Sequence, residues 1–281
     1  MGNRIYGSEK RDATINKYSH RKFTKSDCMD WLDTLEDGSV NLWIIDPPYN
    51  VLTGNMKNKN GAAVFHSRYT AQVTPSESDM EKGMVTPRFE VAIPWEEQAK
   101  LEDYREWCYS WYCKAHAKLT DDSFMFIFWS MKYLYLAYQI FDVNRVIFWQ
   151  QPNMVSSISG DFCYDITPII VVRKGNARLN KEAGLWDKSS VLNFTKPQGN
   201  YKDDKLCHPT QKPRKLLEHL VWLSDADHEG YVIGDFFAGS GSLLRAVNKA
   251  DVILCDKNQE YYDKFFDINV ADPRVYICKI K

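Results

Sequence analysis

Short apolar runs alternate with helical patterns along this chain of 281 residues, and their order predicts the fold class. Four runs are typical of buried strands: SVNLWIID (39–46), SFMFIFW (123–129), RVIFWQQ (145–151) and ITPIIVVRK (166–174). Near the C-terminus, strand, helix, strand and helix patterns follow one another at 231–237, 242–250, 251–256 and 258–266. Such alternation favours an α/β fold, with a mostly parallel sheet and helices on both faces.

The most apolar stretch, residues 124–141, bears on whether the chain crosses a membrane. Ser130, Lys132 and Gln139 interrupt this stretch, and its β-type first half is followed by a helical pattern. We therefore expect a strand followed by a helix, and no membrane span. The N-terminus has no apolar core of the kind that a secretory signal needs, which favours a cytoplasmic protein.

The cysteines and histidines do not suggest a metal site. None of the seven cysteines forms a C-x-x-C pair, and the histidines show no ligand spacing. We therefore expect reduced cysteines and no bound metal. Cys108 and Cys113 lie in an aromatic stretch with helical spacing, where packing is the expected role.

Positive charge is concentrated in two segments, although the formal net charge of the chain is only −1. Residues 1–25 contain seven basic and two acidic residues, and residues 173–215 contain eleven and four, giving net charges of +5 and +7. These segments are either solvated loops or contacts for a polyanion. The stretches 51–94 and 176–207 lack clear periodicity, which predicts loops or small insertions of the kind that carry recognition.

A glycine-rich turn follows the strand predicted at 231–237. The run GDFFAGSGS (234–242) lets backbone N–H groups approach a ligand near the start of a helix. Asp256 comes 21 residues after Asp235, at the end of the next predicted strand, where an acid in nucleotide-binding folds takes ribose hydroxyls. There is no third glycine, so a nucleoside without a pyrophosphate fits better than a dinucleotide. A turn without a ligand is the alternative.

The run DPPYN (46–50) follows the strand predicted at 39–46. Asp46 therefore lies at the carboxyl end of a strand, where open α/β sheets form their ligand crevice. Two prolines fix the backbone and remove two N–H donors. The Asp46 carboxylate and the Pro47 carbonyl can accept hydrogen bonds from both N–H groups of an aromatic amine, while the ring of Tyr49 can stack on the base. A turn that merely ends the strand is the alternative.

DPPYN (46–50), HPTQKP (208–213) and FAGSG (237–241) occur in this chain in that order. In this order they resemble the beta-class DNA amino-methyltransferases, which use S-adenosylmethionine. The resemblance covers nearly the whole chain and includes further blocks at 27–50, 148–153, 164–175 and 253–262. It implies a permuted Rossmann-like methyltransferase fold, since the catalytic block precedes the cofactor block.

The resemblance also implies a domain plan and a set of site residues. A basic N-terminal arm (1–25) would precede a single methyltransferase domain (26–281), made of a catalytic half (26–175) with an inserted loop (51–94), a candidate target-recognition stretch (176–207) and a cofactor half (208–281). The implied catalytic residues are Asp46, Pro47, Pro48 and Tyr49. The implied cofactor-binding residues are Asp27, Cys28, Asp46, Thr210, Lys212, Asp235, Phe237, Ala238, Gly239, Ser240, Gly241, Asp256 and Lys257.

The sequence departs from the family pattern at several positions around these motifs. The family usually has Pro at Phe236 and Thr-Thr at the positions of Ser242 and Leu243, and it often has Lys at Gln151 and Glu at Asp256. None of these departures removes a catalytic atom, so activity is expected, with a modest affinity for the cofactor. His208 is expected to order a loop beside the cofactor, in preference to acting as a general base.

The resemblance implies a DNA adenine-N6 methyltransferase that flips its target base out of double-stranded DNA. Cytosine-N4 methylation is the alternative, although the family's cytosine-specific members more often carry Ser at the position of Asp46. A glutamine-modifying methyltransferase would have NPPY, which Asp46 argues against. A catalytically silent DNA-binding subunit is a further alternative. Because the candidate recognition stretch is short, a homodimer is expected.

Overall fold

The computed structural model describes residues 21–49, 101–153, 165–197, 211–239, 241–259, 261–263 and 275–278. Three segments named above lie outside these described residues: the first twenty residues of the expected arm, the inserted loop 51–94, and residues 198–207 of the candidate target-recognition stretch.

The described strands form one mixed sheet. They are β1 (Arg21–Lys25), β2 (Val40–Ile45), β3 (Leu119–Phe128), β4 (Val143–Gln150), β5 (Ile166–Arg173), β6 (Val191–Asn193), β7 (Val232–Asp235), β8 (Asp251–Asp256) and β9 (Val275–Cys278). Their order is β6-β4-β5-β3-β2-β7-β8-β1-β9. Among these strands only β5 runs against its neighbours, β3 and β4, and every other pairing is parallel. The predicted mostly parallel sheet is confirmed.

Helices cover both faces of the sheet. The described α-helices are α1 (Cys28–Asp33), α2 (Leu101–Lys118), α3 (Leu134–Ile140) and α4 (Arg214–Leu223), with 3₁₀ turns at Met131–Tyr133 and Ser242–Ala246. Successive side chains of a strand point to opposite faces, so β2 buries Trp43 against α1 and α2 but Leu42 and Ile44 with the residues of α4. Burial of strand residues on both faces is typical of an α/β fold, as predicted.

The apolar stretch 124–141 forms the end of β3, a 3₁₀ turn and α3, as the pattern predicted. Within the ranges given above, no helix combines the length and the apolar character needed to cross a membrane.

The helix predicted at 242–250 is wrong in part. Only a 3₁₀ turn forms, over Ser242–Ala246, and Val247 is extended. The next three amides, those of residues 248–250, donate to the carboxylate of Asp227 at distances of 2.7–3.2 Å. These hydrogen bonds replace the helical ones and direct the chain into β8. Of the helix predicted at 258–266, residues 261–263 are helical and residues 264–266 are not described.

The expected boundary of the basic arm at residue 25 is also wrong, because residues 21–25 form β1 between β8 and β9. The Arg21 side chain is fully buried. Its guanidinium donates to the carbonyl oxygens of Leu244 and Val247 at 2.8 and 2.6 Å. Arg21 therefore contributes to the packing of the sheet and is not available to a polyanion.

We predict that Arg21→Met destabilises the protein by about 3 kcal/mol, because two buried carbonyls lose charged donors. Lys22→Met is the matched control, since Lys22 is the next residue of β1 and is exposed. Its cost should stay within about 0.5 kcal/mol. Urea unfolding measures both, and equal small effects would contradict the buried role of Arg21.

Candidate active site

Three aspartates lie at one edge of the sheet. Asp46 follows β2 directly, and Asp235 and Asp256 are the last residues of β7 and β8. These three strands are neighbours and parallel, so their carboxyl ends meet at the same edge. The DPPYN turn and the glycine-rich turn, which are far apart in the chain, therefore form one site.

Both carboxylate oxygens of Asp46 have side-chain partners. The Tyr49 hydroxyl donates to Oδ1, and the Lys212 ammonium forms an ion pair with Oδ2. Only 12% of the Lys212 side chain and 22% of the Asp46 side chain are exposed. The Lys212 Nζ also lies 4.9 Å from the ring centroid of Phe128, a cation–π contact. These contacts fix the orientation of the Asp46 carboxylate.

Aromatic side chains support the turn from the α2 side. The Tyr104 hydroxyl donates to the carbonyl oxygen of Pro48 at 3.0 Å, and the Tyr104 ring stacks on Trp129 with a centroid distance of 6.1 Å. Trp129 packs edge-on against Tyr49, and its indole N–H donates to the Tyr133 carbonyl at 2.8 Å. The ring of Tyr49 is thus held beside the carboxylate that its hydroxyl contacts.

The glycine-rich turn closes onto the end of β8. Gly239 and Gly241 have φ angles of 47° and 69°, which residues with a Cβ rarely adopt. The Gly239 amide donates to Asp256 Oδ2 at 2.8 Å, and the Asn258 amide donates to Oδ1 at 2.8 Å. The Ala238 amide donates to the Cys255 carbonyl at 3.0 Å. A carboxylate has about four acceptor sites, so Asp256 keeps acceptor capacity for a ligand donor.

The carboxylates of the site repel one another. Burial raises the pKa of Asp235 well above its usual range, and the charges of Asp46 and Asp256 raise it further. The Phe237 amide, which donates to Asp235 Oδ1 at 2.9 Å, and the charge of Lys212 act in the opposite direction. Burial also raises the pKa of Asp256. A ligand carrying amine or hydroxyl donors would relieve this repulsion.

Helix α1 begins beside the same strand ends. Asp27 caps it by accepting a hydrogen bond from the Met29 amide at 2.9 Å. Burial raises the pKa of the Cys28 thiol to about 12, and the Asp27 charge adds to this, while Lys257 acts against it. Cys28 is therefore a neutral packing residue near Lys257 and not a thiolate nucleophile.

The structure unites most of the site residues inferred from the sequence. The residues placed at this edge of the sheet are Asp27, Cys28, Asp46, Pro47, Pro48, Tyr49, Lys212, Asp235, Phe237, Ala238, Gly239, Gly241, Asp256 and Lys257. Thr210 and Ser240, together with His208, lie outside the described residues. The resemblance places Lys212 on the cofactor side, but the ion-pair partner that the structure gives it is Asp46.

Sequence reasoning missed the supports of the turn. Phe128 ends the strand next to β2 and Trp129 follows it, so their place near Asp46 was predictable from the strand pattern. Neither residue belongs to the DPPYN or the glycine-rich motif. Tyr104 carries a weaker signal, because its spacing on α2 indicates only a buried helix face.

A family model described as DNA methylase, for N6 and N4 methyltransferases, matches residues 40–267. This match spans more than half of the chain. The chain therefore belongs to the DNA methylases of the N6-adenine and N4-cytosine amino-methyltransferase family.

Individual relatives agree with this assignment. The chain is 24% identical over 231 residues to the type II methyltransferase M2.DpnII of Streptococcus pneumoniae, covering 77% of this chain and 76% of that protein. The fold is similar to that of M1.HpyAVI in complex with SAM, with a TM-score of 0.56, 17% identity, and coverage of 88% and 98%. It is also similar to the cytosine-N4-specific PvuII DNA methyltransferase, with a TM-score of 0.60, 14% identity, and coverage of 88% and 86%.

The raised pKa of Asp235 predicts that its negative charge, which a ligand could use, lowers the stability of the folded protein. A raised pKa means that the charged form of Asp235 costs stability above its ordinary pKa range and costs none in acid. Asp235→Asn should therefore stabilise the protein by about 1 kcal/mol at neutral pH. The gain should vanish as the pH falls. Urea unfolding at neutral and acid pH tests this expectation.

Asp227→Asn is the matched control for that substitution. Although burial acts to raise the pKa of Asp227, the amides of Ala250, Lys249 and Asn248 lower it overall. Asp227 therefore contributes stability above its ordinary pKa, and this stability is lost as the pH falls through the folded pKa. Its replacement should destabilise the protein at neutral pH. Destabilisation by both variants would refute the charge repulsion at Asp235.

Proposed function

We propose that the protein is an S-adenosylmethionine-dependent DNA methyltransferase that acts on the N6 amino group of adenine. The observation that carries this proposal is the position of Asp46 in its proline-fixed turn, at the same sheet edge as the glycine turn and the acids Asp235 and Asp256. The amine acceptor, Asp46, and the glycine turn suited to a nucleoside thereby lie at the same edge of the sheet.

The residues of the glycine turn fit the cofactor. Asp256 retains acceptor capacity for ribose hydroxyls, and the partly buried Asp235 suits the cationic amine of the methionine part. Gly239 and Gly241 leave room for close approach of the cofactor to the backbone. When bound, S-adenosylmethionine supplies a methyl group on a positively charged sulfur, which departs as a neutral thioether.

Asp46 and Pro47 orient the target amine. Each would accept a hydrogen bond from one N–H of the amino group, which would turn the nitrogen lone pair towards the donated methyl group. With the cofactor bound, this lone pair would form the N–C bond as the sulfur–carbon bond breaks, and the methylated amine would then lose one proton to solvent. Positioning supplies most of the rate, so no general base with a tuned pKa is required.

Tyr49 and Lys212 prepare Asp46 for this step. Lys212 occupies Oδ2, which leaves Oδ1 as the oxygen for the target amine. In the structure the Tyr49 hydroxyl donates to Oδ1, so the incoming amine replaces that hydrogen bond. The ring of Tyr49, supported by Trp129, then stacks on the base.

The target base must leave the duplex to reach this crevice. Base flipping costs a few kcal/mol, which stacking on Tyr49 and hydrogen bonds to the base edge offset. Adenine is favoured over cytosine because residue 46 is Asp, where cytosine-specific members of the family more often have Ser. The likeness to a cytosine-N4-specific enzyme keeps cytosine as the second candidate. Double-stranded DNA as the partner fits the net charge of +7 on residues 173–215, and the homodimer stays a prediction.

The proposal predicts the product of a labelling experiment. The purified protein is incubated with methyl-labelled S-adenosylmethionine and duplex DNA of mixed sequence, and the digested nucleosides are identified by mass spectrometry. The expected product is N6-methyladenine. N4-methylcytosine would overturn the choice of base but keep the chemistry. Cofactor binding without any labelled DNA would support the silent subunit.

A second prediction tests the role of Asp46. Asp46→Ala should lower kcat by about 100-fold or more, because the target amine loses its acceptor. Cofactor affinity, measured by calorimetry, should fall far less than kcat, even though the resemblance also gives Asp46 a cofactor contact. Asp33→Ala is the control, since Asp33 is an exposed acid paired with Lys114 on the surface. Full activity of Asp46→Ala would refute the assigned role.

A further inference from the structure

Lys196 lies near Lys212, in a segment outside the DPPYN, HPTQKP and glycine-rich motifs. The segment follows β6, the outermost strand of the described sheet, which pairs with β4. The Asn153 side chain brackets the Lys196 backbone: its Oδ1 accepts from the Lys196 amide at 2.8 Å, and its Nδ2 donates to the Lys196 carbonyl at 2.9 Å. The Phe194 carbonyl accepts from the Trp149 indole N–H at 2.7 Å. The backbone that carries Lys196 is therefore fixed.

The Lys196 ammonium is in an unfavourable place for a cation. The side chain is partly buried, and it lies close enough to Lys212 for the two charges to repel. Burial lowers the pKa of Lys196, and the charge of Lys212 lowers it further. Lys212 has Asp46 as its counter-ion. Across the described ranges, no aspartate or glutamate forms an ion pair with Lys196.

We infer that Lys196 binds a backbone phosphate of the DNA next to the flipped nucleotide, an inference that rests on the proposed function. A phosphate oxygen would supply the counter-charge that the described residues do not, and a lysine provides a point charge suited to phosphate. Two further observations favour DNA as the source of this anion: the side of the site on which Lys196 lies, and the charge of its segment.

Lys196 lies on the side of Asp46 away from the glycine turn. In the sheet, β5, β3 and β2 separate β4 and β6 from β7 and β8, the strands that end at the glycine turn. Lys212 lies between the two sides, over the end of β3 and against Asp46. The carboxylate of the cofactor is the other candidate anion, and separate KM values for DNA and S-adenosylmethionine distinguish the two. Lys196 also lies in the stretch 173–215, which carries a net charge of +7.

The test measures DNA affinity as a function of salt for the full-length protein and three variants. Lys196→Gln removes the charge, and Lys196→Arg keeps it. Lys249→Gln removes an exposed positive charge just before β8. Lys249 therefore lies at the amino ends of the strands, away from Asp46. Each protein is titrated with the same fluorescent duplex over a salt series. Kinetics of methyl transfer supply separate KM values for DNA and S-adenosylmethionine, and thermal melting checks folding.

We expect Lys196→Gln to weaken DNA binding about 10-fold at low salt and to reduce the slope of log affinity against log salt by about 0.9, the loss of one phosphate contact. The KM for DNA should rise while the KM for S-adenosylmethionine stays constant. Lys196→Arg should keep the slope of the wild type, and Lys249→Gln should match the wild type in affinity.

Three results would overturn the inference. An unchanged slope for Lys196→Gln would show that no phosphate contact was lost. A rise in the KM for S-adenosylmethionine alone would assign the anion to the cofactor, and an equal loss for Lys249→Gln would reduce the effect to net charge. Failure of the proposed function is distinguishable from these results, because the wild type would then methylate no DNA.

Discussion

The close pairing of β2 with β7 is the constraint on which the site depends. Trp43 and Gly234 are register partners, and a Cβ added at Gly234 would lie 2.1 Å from the Trp43 ring. Only glycine lets the indole lie flat against the neighbouring strand, where its N–H also donates to the Ala115 carbonyl at 3.0 Å. This contact joins the first part of the chain to the last. It brings Asp46 and Asp235 to one edge, although β3, β4, β5 and β6 lie between β2 and β7 in the chain.

That edge gathers charges that a structure selected for stability alone would separate. Asp46, Asp235 and Asp256 converge, and burial and mutual repulsion both act against ionisation of Asp235. Active sites commonly hold groups whose pKa is shifted in this way, because ligand donors take over the compensation. By contrast, Asp227 receives three backbone amides at the opposite edge, and these stabilise its charge. The two aspartates thus differ in how well the protein itself stabilises their charge.

Local motifs made much of the site predictable. The DPPYN turn and the glycine-rich turn each follow a strand pattern, and a parallel sheet necessarily brings the carboxyl ends of such strands to one edge. Contacts between distant side chains were not predictable in this way. The ion pair of Lys212 with Asp46 depends on how α4 enters, and the burial of Arg21 depends on the turn at Ser242–Ala246. A charge count does not distinguish a buried basic residue of a strand from an exposed one.

Lys212 connects the two sides of the site through Asp46. Its ammonium contacts one oxygen of Asp46 and the face of Phe128, and its charge reaches Lys196. The charge of Lys196 therefore acts on Lys212, the residue that forms the ion pair with Asp46. Tyr49 donates to the other oxygen of Asp46, so side chains orient both oxygens of this carboxylate. The orientation of the Asp46 carboxylate thus depends on one hydroxyl and one cation, which the DPPYN and HPTQKP motifs supply.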